Sequence, residues 1–184
     1  MVKKSANEFT VDQQLPTLGI APYLELMDKT ATKDADRKST HMGLLMLWLG
    51  DNILDVVDMD LSPFGITESK LDLLLLLRLH EGRELVTPSA IADRLGIRRA
   101  SVTALLDWLG KRGWIAREQS NNDRRMIHVS ITPEGRALVD NVLPTFWSTC
   151  ASLLSDLDTE ERKVFEKILV KLNAGIEKRL GVGR

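Results

Sequence analysis

Residues 91–105 read Ile91-Ala92-Asp93-Arg94-Leu95-Gly96-Ile97-Arg98-Arg99-Ala100-Ser101-Val102-Thr103-Ala104-Leu105, and this stretch decides the fold. Two helices that cross closely around a tight bend need a small residue at the crossing. They also need a glycine able to turn left-handed, and an apolar face on the second helix that packs back. Ala92, Gly96, Val102 and Leu105 meet those needs in order. The arrangement predicts a helix-turn-helix. Arg98 and Arg99 fall at the N-terminal end of its second helix, the part that meets base edges when such a helix enters a major groove. Ser101 and Thr103 add hydroxyls for phosphates or bases, and an arginine can bond guanine with two parallel hydrogen bonds.

The flanks agree with this reading. Upstream, Thr87-Pro88-Ser89 offers a capping threonine with proline in the first turn, where its missing N–H does no harm. Downstream, Gly113 stops the second helix near Arg112. Two strands follow, Trp114 to Glu118 and Met126 to Ile131, in the second of which Ile127, Val129 and Ile131 alternate with polar neighbours. The polar loop between them carries Asp123, Arg124 and Arg125, cations suited to the negative potential of a narrow minor groove. Thr132-Pro133 repeats the cap-and-proline device and opens a helix to about Ser155. Asp158 with Glu161 forms a capping pair for a last helix.

Toward the N-terminus, Thr67 offers a cap for a helix to about His80. Leu45, Trp48, Leu49, Val56 and Met59 recur at helical spacing over Thr40 to Asp60, with Asp51, Asp55 and Asp58 forming a solvated strip. A short helix is expected from Pro22 to about Arg37, and residues 1–19 read as an arm. The fold class is mainly α with a small β-hairpin wing: a winged helix-turn-helix plus a helical region.

Charge is distributed accordingly. The 184 residues carry a net −1, yet residues 93–136 hold nine Lys or Arg against five acids, while residues 39–92 hold three against eight. A basic segment in an otherwise neutral or acidic chain is the footprint of one surface meeting phosphates. The partner expected is double-stranded DNA.

An enzyme is disfavoured. The chain has no phosphate-binding glycine loop and no nucleophile elbow, and His41, His80 and His128 are at least 39 residues apart, so no local motif supports a metal or cofactor. No apolar run approaches the roughly 20 residues of a membrane span, and the first ten residues carry no secretory signal, so a cytoplasmic location is expected. The single cysteine, Cys150, excludes an internal disulfide. With no cation within seven residues on either side it reads as a packed thiol, leaving a redox-responsive regulator as an alternative. A winged helix used only for protein interaction is the other.

The stretch from Ile97 through Gly113, followed by Asp123-Arg124-Arg125 and then Val129-Ser130-Ile131-Thr132-Pro133-Glu134-Gly135, resembles the recognition helix and wing of the MarR (multiple antibiotic resistance) regulators. The resemblance covers about residues 40 to 178. It implies a repressor that binds a pseudo-palindromic operator as a homodimer. The chain then divides into an arm (1–39), a first dimerisation helix (40–62), the DNA-binding winged helix-turn-helix (63–133) and C-terminal dimerisation helices (134–184). It also implies that Asp123 braces the wing through an ion pair and that Arg125 enters the minor groove. A small aromatic or phenolic effector is implied too, with Trp48, Asp51, Phe64, Asp72 and Trp108 as candidate lining. The sequence departs from the family pattern at Ala104 and Trp108, commonly basic, and at Gly110, commonly glutamate.

Overall fold

Capping chemistry sets most of the helix boundaries in the computed structural model, which describes residues 19–83, 86–119 and 126–181. Two compact units divide the chain, residues 1–51 and 52–184.

The first unit holds helix α1 (Ala21–Thr30) and the start of helix α2 (Arg37–Leu61). The single helix expected over residues 22–37 is cut short. The Thr30 hydroxyl donates to Leu26 O at 2.7 Å, and Ala31 turns extended. A new helix then begins at Arg37, because Asp36 accepts from the Ser39 N–H at 3.1 Å and from its hydroxyl at 2.6 Å. Those bonds hold the Asp36 carboxyl below its ordinary range. α2 therefore starts three residues ahead of Thr40, whose hydroxyl donates to Asp36 O at 2.9 Å. Tyr23 and Trp48 stack at 5.9 Å, and Arg37 pairs with Asp28 at 2.9 Å.

The second unit carries the rest of α2, a 3-10 turn at Ser62–Phe64, and helices α3 (Glu68–Leu79), α4 (Pro88–Leu95), α5 (Arg99–Lys111), α6 (Pro133–Ser152) and α7 (Thr159–Leu180). Between α5 and α6, strands β1 (Ile115–Gln119) and β2 (Ile127–Ile131) pair antiparallel with Ile115 opposite Ile131 and Glu118 opposite His128. Val86 adds a bridge to Val129, whose N–H donates to Val86 O at 2.8 Å.

The leucine-rich α3 sits at the centre of the core, burying Leu71, Leu73, Leu74, Leu76 and Leu77. Around it lie Val57, Leu61, Ile91, Val102, Leu106, Leu109, Val139 and Val142. Two apolar expectations are corrected. Leu105 is only partly buried, because Val102, Leu106 and Leu109 define the inward stripe of α5. Ile127 is 40% exposed at the open end of the hairpin, where it faces Gln119.

Caps behave as the sequence suggests at Thr87, which accepts from Ala90 N–H at 3.2 Å, and at Thr132, which accepts from Gly135 N–H at 3.0 Å. At Asp158 the full capping box forms with Glu161. Thr67 holds the cap position of α3 without the capping bond. Asp58 supplies it instead, accepting from Glu68 N–H at 2.6 Å, while the Thr67 hydroxyl accepts from Lys70 Nζ at 2.7 Å. α6 ends at Ser152 rather than Ser155, because the Ser152 hydroxyl turns back onto Thr149 O at 2.8 Å.

Two long helices leave much apolar surface uncovered. α7 buries none of its residues and exposes Val164, Ile168, Leu169, Val170, Leu172 and Ile176. α2 exposes Met42, Leu45, Met46, Leu47, Leu49 and Leu54. Such faces exceed the scattered apolar residues normal on a monomer surface.

Candidate nucleic-acid interface

The bend that orders the interface is made by Gly96, whose φ of 65° and ψ of 28° lie in the left-handed region open to glycine at no steric cost. Its N–H and that of Ile97 both return to Ala92 O, the latter at 3.2 Å. Ala92 is 5% exposed at this crossing, where a larger side chain would push α5 away. Arg98 then caps α5 in extended conformation, and Val102 N–H donates to Arg98 O at 3.1 Å.

With Val102, Leu106 and Leu109 anchored inward, Arg98, Arg99, Ser101, Thr103 and Ala104 are all exposed. The four residues expected to read DNA therefore lie together on the first turns of one helix. Thr103 is qualified in one respect: its hydroxyl donates to Arg99 O at 3.1 Å, which leaves its lone pairs free to accept. Asp123, Arg124 and Arg125 lie outside the described residues.

The recognition helix is fixed to the hairpin by contacts that short sequence spacing does not reveal. Asp107 on α5 pairs with Arg117 on β1 at 2.8 Å. This ties down one of the cations counted in the basic segment. At the end of α5, the Thr132 hydroxyl donates to Gly113 O at 2.6 Å and Thr132 N–H to Trp114 O at 3.1 Å. Gly135 sits so close beneath that a Cβ there would run into Trp114 O and come within 2.9 Å of Ile131 Cγ1. Only glycine allows α6 to start at this distance from the helix end.

Trp108 stands among cations. The Arg112 guanidinium lies 3.5 Å from its ring centre and Lys70 Nζ 4.7 Å, with Trp114 edge-on at 5.6 Å. Position 108 itself lacks a positive charge, yet two cations from α3 and the end of α5 gather on it. Neither partner is visible from the sequence near Trp108 alone, although Arg112 lies one helical turn on.

Of the other residues considered for an effector, Trp48 and Asp51 belong to the first unit, Trp48 partly buried against Tyr23 and Asp51 exposed. Phe64 packs against the core of the second unit, and Asp72 is exposed on α3. Nearby, Glu68 has its carboxyl pushed above the ordinary range, chiefly by burial and then by the negative charges of Asp72 and Asp58. Cys150 is partly buried on α6. Among the described residues no group of three His, Cys, Asp or Glu is placed to hold a metal ion, and no helix is long and apolar enough to cross a membrane.

Residues 64–126 match the MarR family model. The transcriptional repressor MprA of Escherichia coli (strain K12) is 34% identical over 128 residues, spanning 70% of this chain and 72% of that protein. The chain belongs to the MarR family. Its winged-helix architecture is shared by solved MarR structures, and the MarR-family relatives are named as transcription regulators rather than enzymes. MepR of S. aureus, solved as a complex with DNA, is 25% identical with a TM-score of 0.64, covering 72% of this chain and 96% of that one. A mutant of the E. coli MarR protein, solved with operator DNA, has a TM-score of 0.65 at 23% identity, covering 76% and 99%. As a MarR-family chain this protein is unusual by its uncharged Ala104, Trp108 and Gly110 on α5.

Proposed function

We propose that this chain is a sequence-specific DNA-binding repressor that grips a pseudo-palindromic operator as a homodimer. The observation that carries the reading is the presentation of Arg98, Arg99, Ser101 and Thr103 on the exposed start of α5, the opposite stripe of which is locked into the core. Relatives of this fold have been seen on DNA, which supports the same use here. Arg98 and Arg99 read base edges in the major groove. Ser101 and Thr103 add bonds to phosphate or base. Asp123, Arg124 and Arg125 belong to a wing that meets the neighbouring minor groove.

The uncovered apolar faces of α2 and α7 support the dimer. In this reading residues 40–62 and 134–184 join two copies, and each copy contributes one winged helix-turn-helix (63–133). Half-site centres then lie about 10 bp apart. Release by a small aromatic or phenolic effector completes the proposal, with Trp48, Asp51, Phe64, Asp72 and Trp108 as its lining. The cations beside Trp108 favour an anionic form of such a ligand.

A fluorescence-anisotropy titration against fragments of the protein's own upstream region tests the core of the reading. Saturable binding is expected at low salt, with log K falling against log salt by about 0.9 per phosphate contacted. Arg99→Ala should lower affinity for the operator selectively, by about 1–3 kcal/mol, whereas Arg125→Ala should weaken binding to all sequences. Absence of saturable binding at low salt overturns the proposal.

A further inference from the structure

A cleft of about 180 Å³ opens at the root of the hairpin, on a side of the second unit that involves none of the residues assigned to DNA or effector. The C-terminal turn of α3 and Val86 form one wall, and Glu118 with His128–Ile131 forms the other. Its floor is apolar, from Leu77, Val86, Val129 and Ile131. The polar lining is entirely of groups that accept hydrogen bonds in their neutral or anionic forms: His80, Glu81, Glu118, His128 and Ser130, with no lysine or arginine among them.

Two details sharpen its chemistry. The Nδ1 of His128 is buried and has no hydrogen-bond partner, a state that native structures rarely leave unexplained. Glu118 stands directly opposite His128 in the strand register. His80 bonds Leu76 O through Nδ1 at 2.9 Å, which fixes the proton there and leaves Nε2 as an acceptor. The nearest cations are already engaged, Arg136 with Glu81 and Arg78 with Asp140 at 2.6 Å. An anion would meet only acceptors. A metal ion is disfavoured as well, because the described residues bring no three ligating side chains together.

We propose that this cleft binds a small organic amine, with its ammonium group between Glu118 and His128 Nδ1 and its apolar body on Leu77, Val86 and Ile131. The N–H of the ligand gives His128 the donor it lacks, and Glu118 balances the positive charge. Because β2 and α3 form the two walls, an occupant bridges the hairpin to the body of the winged helix.

Benzylamine is a suitable probe, with benzyl alcohol and benzoate as its neutral and anionic counterparts. Nitrogen-15 NMR of the three imidazoles in the full chain, assigned with His80→Gln and His41→Gln, reads occupancy at His128 directly. Benzylamine should move the His128 nitrogen resonances saturably. Benzyl alcohol should bind on the order of tenfold more weakly, as expected when a charge-assisted hydrogen bond is lost, and benzoate should leave them unmoved. Glu118→Gln, at an exposed position, should weaken benzylamine by a similar factor with the melting temperature unchanged. Unmoved His128 resonances, equal binding of benzoate, or full affinity in Glu118→Gln each overturns the proposal.

Discussion

The guanidinium of Arg112 stacks 3.5 Å above the ring centre of Trp108, and Lys70 approaches the same ring at 4.7 Å. A residue that leaves the recognition helix one charge short thus keeps two cations in fixed positions beside it. Trp108→Leu retains apolar volume and removes the π-face. Loss of two partly exposed cation–π contacts and an edge-on aromatic pair should cost about 1–2 kcal/mol. Chemical denaturation checks this, and an unchanged midpoint would show that the stack contributes nothing.

Gly135→Ala drives a methyl into Trp114 O, which is backbone and cannot rotate away. The start of α6 must shift, and with it the Thr132 bonds to Gly113 and Trp114. A loss of about 3 kcal/mol or more is expected, in the range of severe overpacking. Thermal unfolding within a degree of the parent would refute the close approach.

Gly110 presents the opposite case. Nothing lies within 4 Å of a Cβ built there, and the residue is exposed in the interior of α5. Gly110→Ala should therefore stabilise the protein by up to about 1 kcal/mol through helix propensity. A fall in melting temperature would contradict an unstrained helical glycine.

Thr149, 3% exposed on α6, donates to Asp60 Oδ2 on α2 at 2.6 Å. Thr149→Val keeps the shape and takes away the donor, leaving the carboxylate short of a partner at a cost of about 1–3 kcal/mol. Thr149→Ser restores the hydroxyl and should recover most of that loss. Equal destabilisation by valine and serine would assign the effect to packing alone.

Glu68 supplies a pH dependence. Its carboxyl is raised above the ordinary value of 4.5 by burial, Asp72 and Asp58. Between the unfolded and folded pKa values the folded state binds more protons, so this group lowers stability as pH rises through that window and keeps it lowered above. Glu68→Gln should raise the melting temperature at neutral pH, and the gain should shrink as pH falls below the window. A gain independent of pH would point to a different cause.

Local chemistry was legible in the sequence and distant chemistry was not. Thr87, Thr132 and Asp158 cap within three residues of themselves, so spacing alone revealed them. Thr67 marked a helix start correctly, yet the capping oxygen belongs to Asp58, ten residues back on another helix. The same holds at the interface. Arg98, Arg99, Ser101 and Thr103 fell on one exposed helix start because the inward stripe of α5 fixes which way the rest must face. The Asp107–Arg117 pair and the cations on Trp108 depend on how α5 meets β1 and α3, information that no short window contains. Leu105 shows the limit of periodicity: one residue's rotation around the helix exchanged it for Leu106 in the core.

α7 buries none of its 22 residues within its own chain. Helices draw most of their stability in water from packing rather than propensity. On the dimer proposed above, the missing packing is supplied by a second copy, and folding becomes a bimolecular equilibrium whose midpoint rises with protein concentration. A repressor so built is sensitive to its own abundance: when few copies are made, the loss of its C-terminal helix and of paired operator contacts coincide, and dilution alone acts as an off-signal.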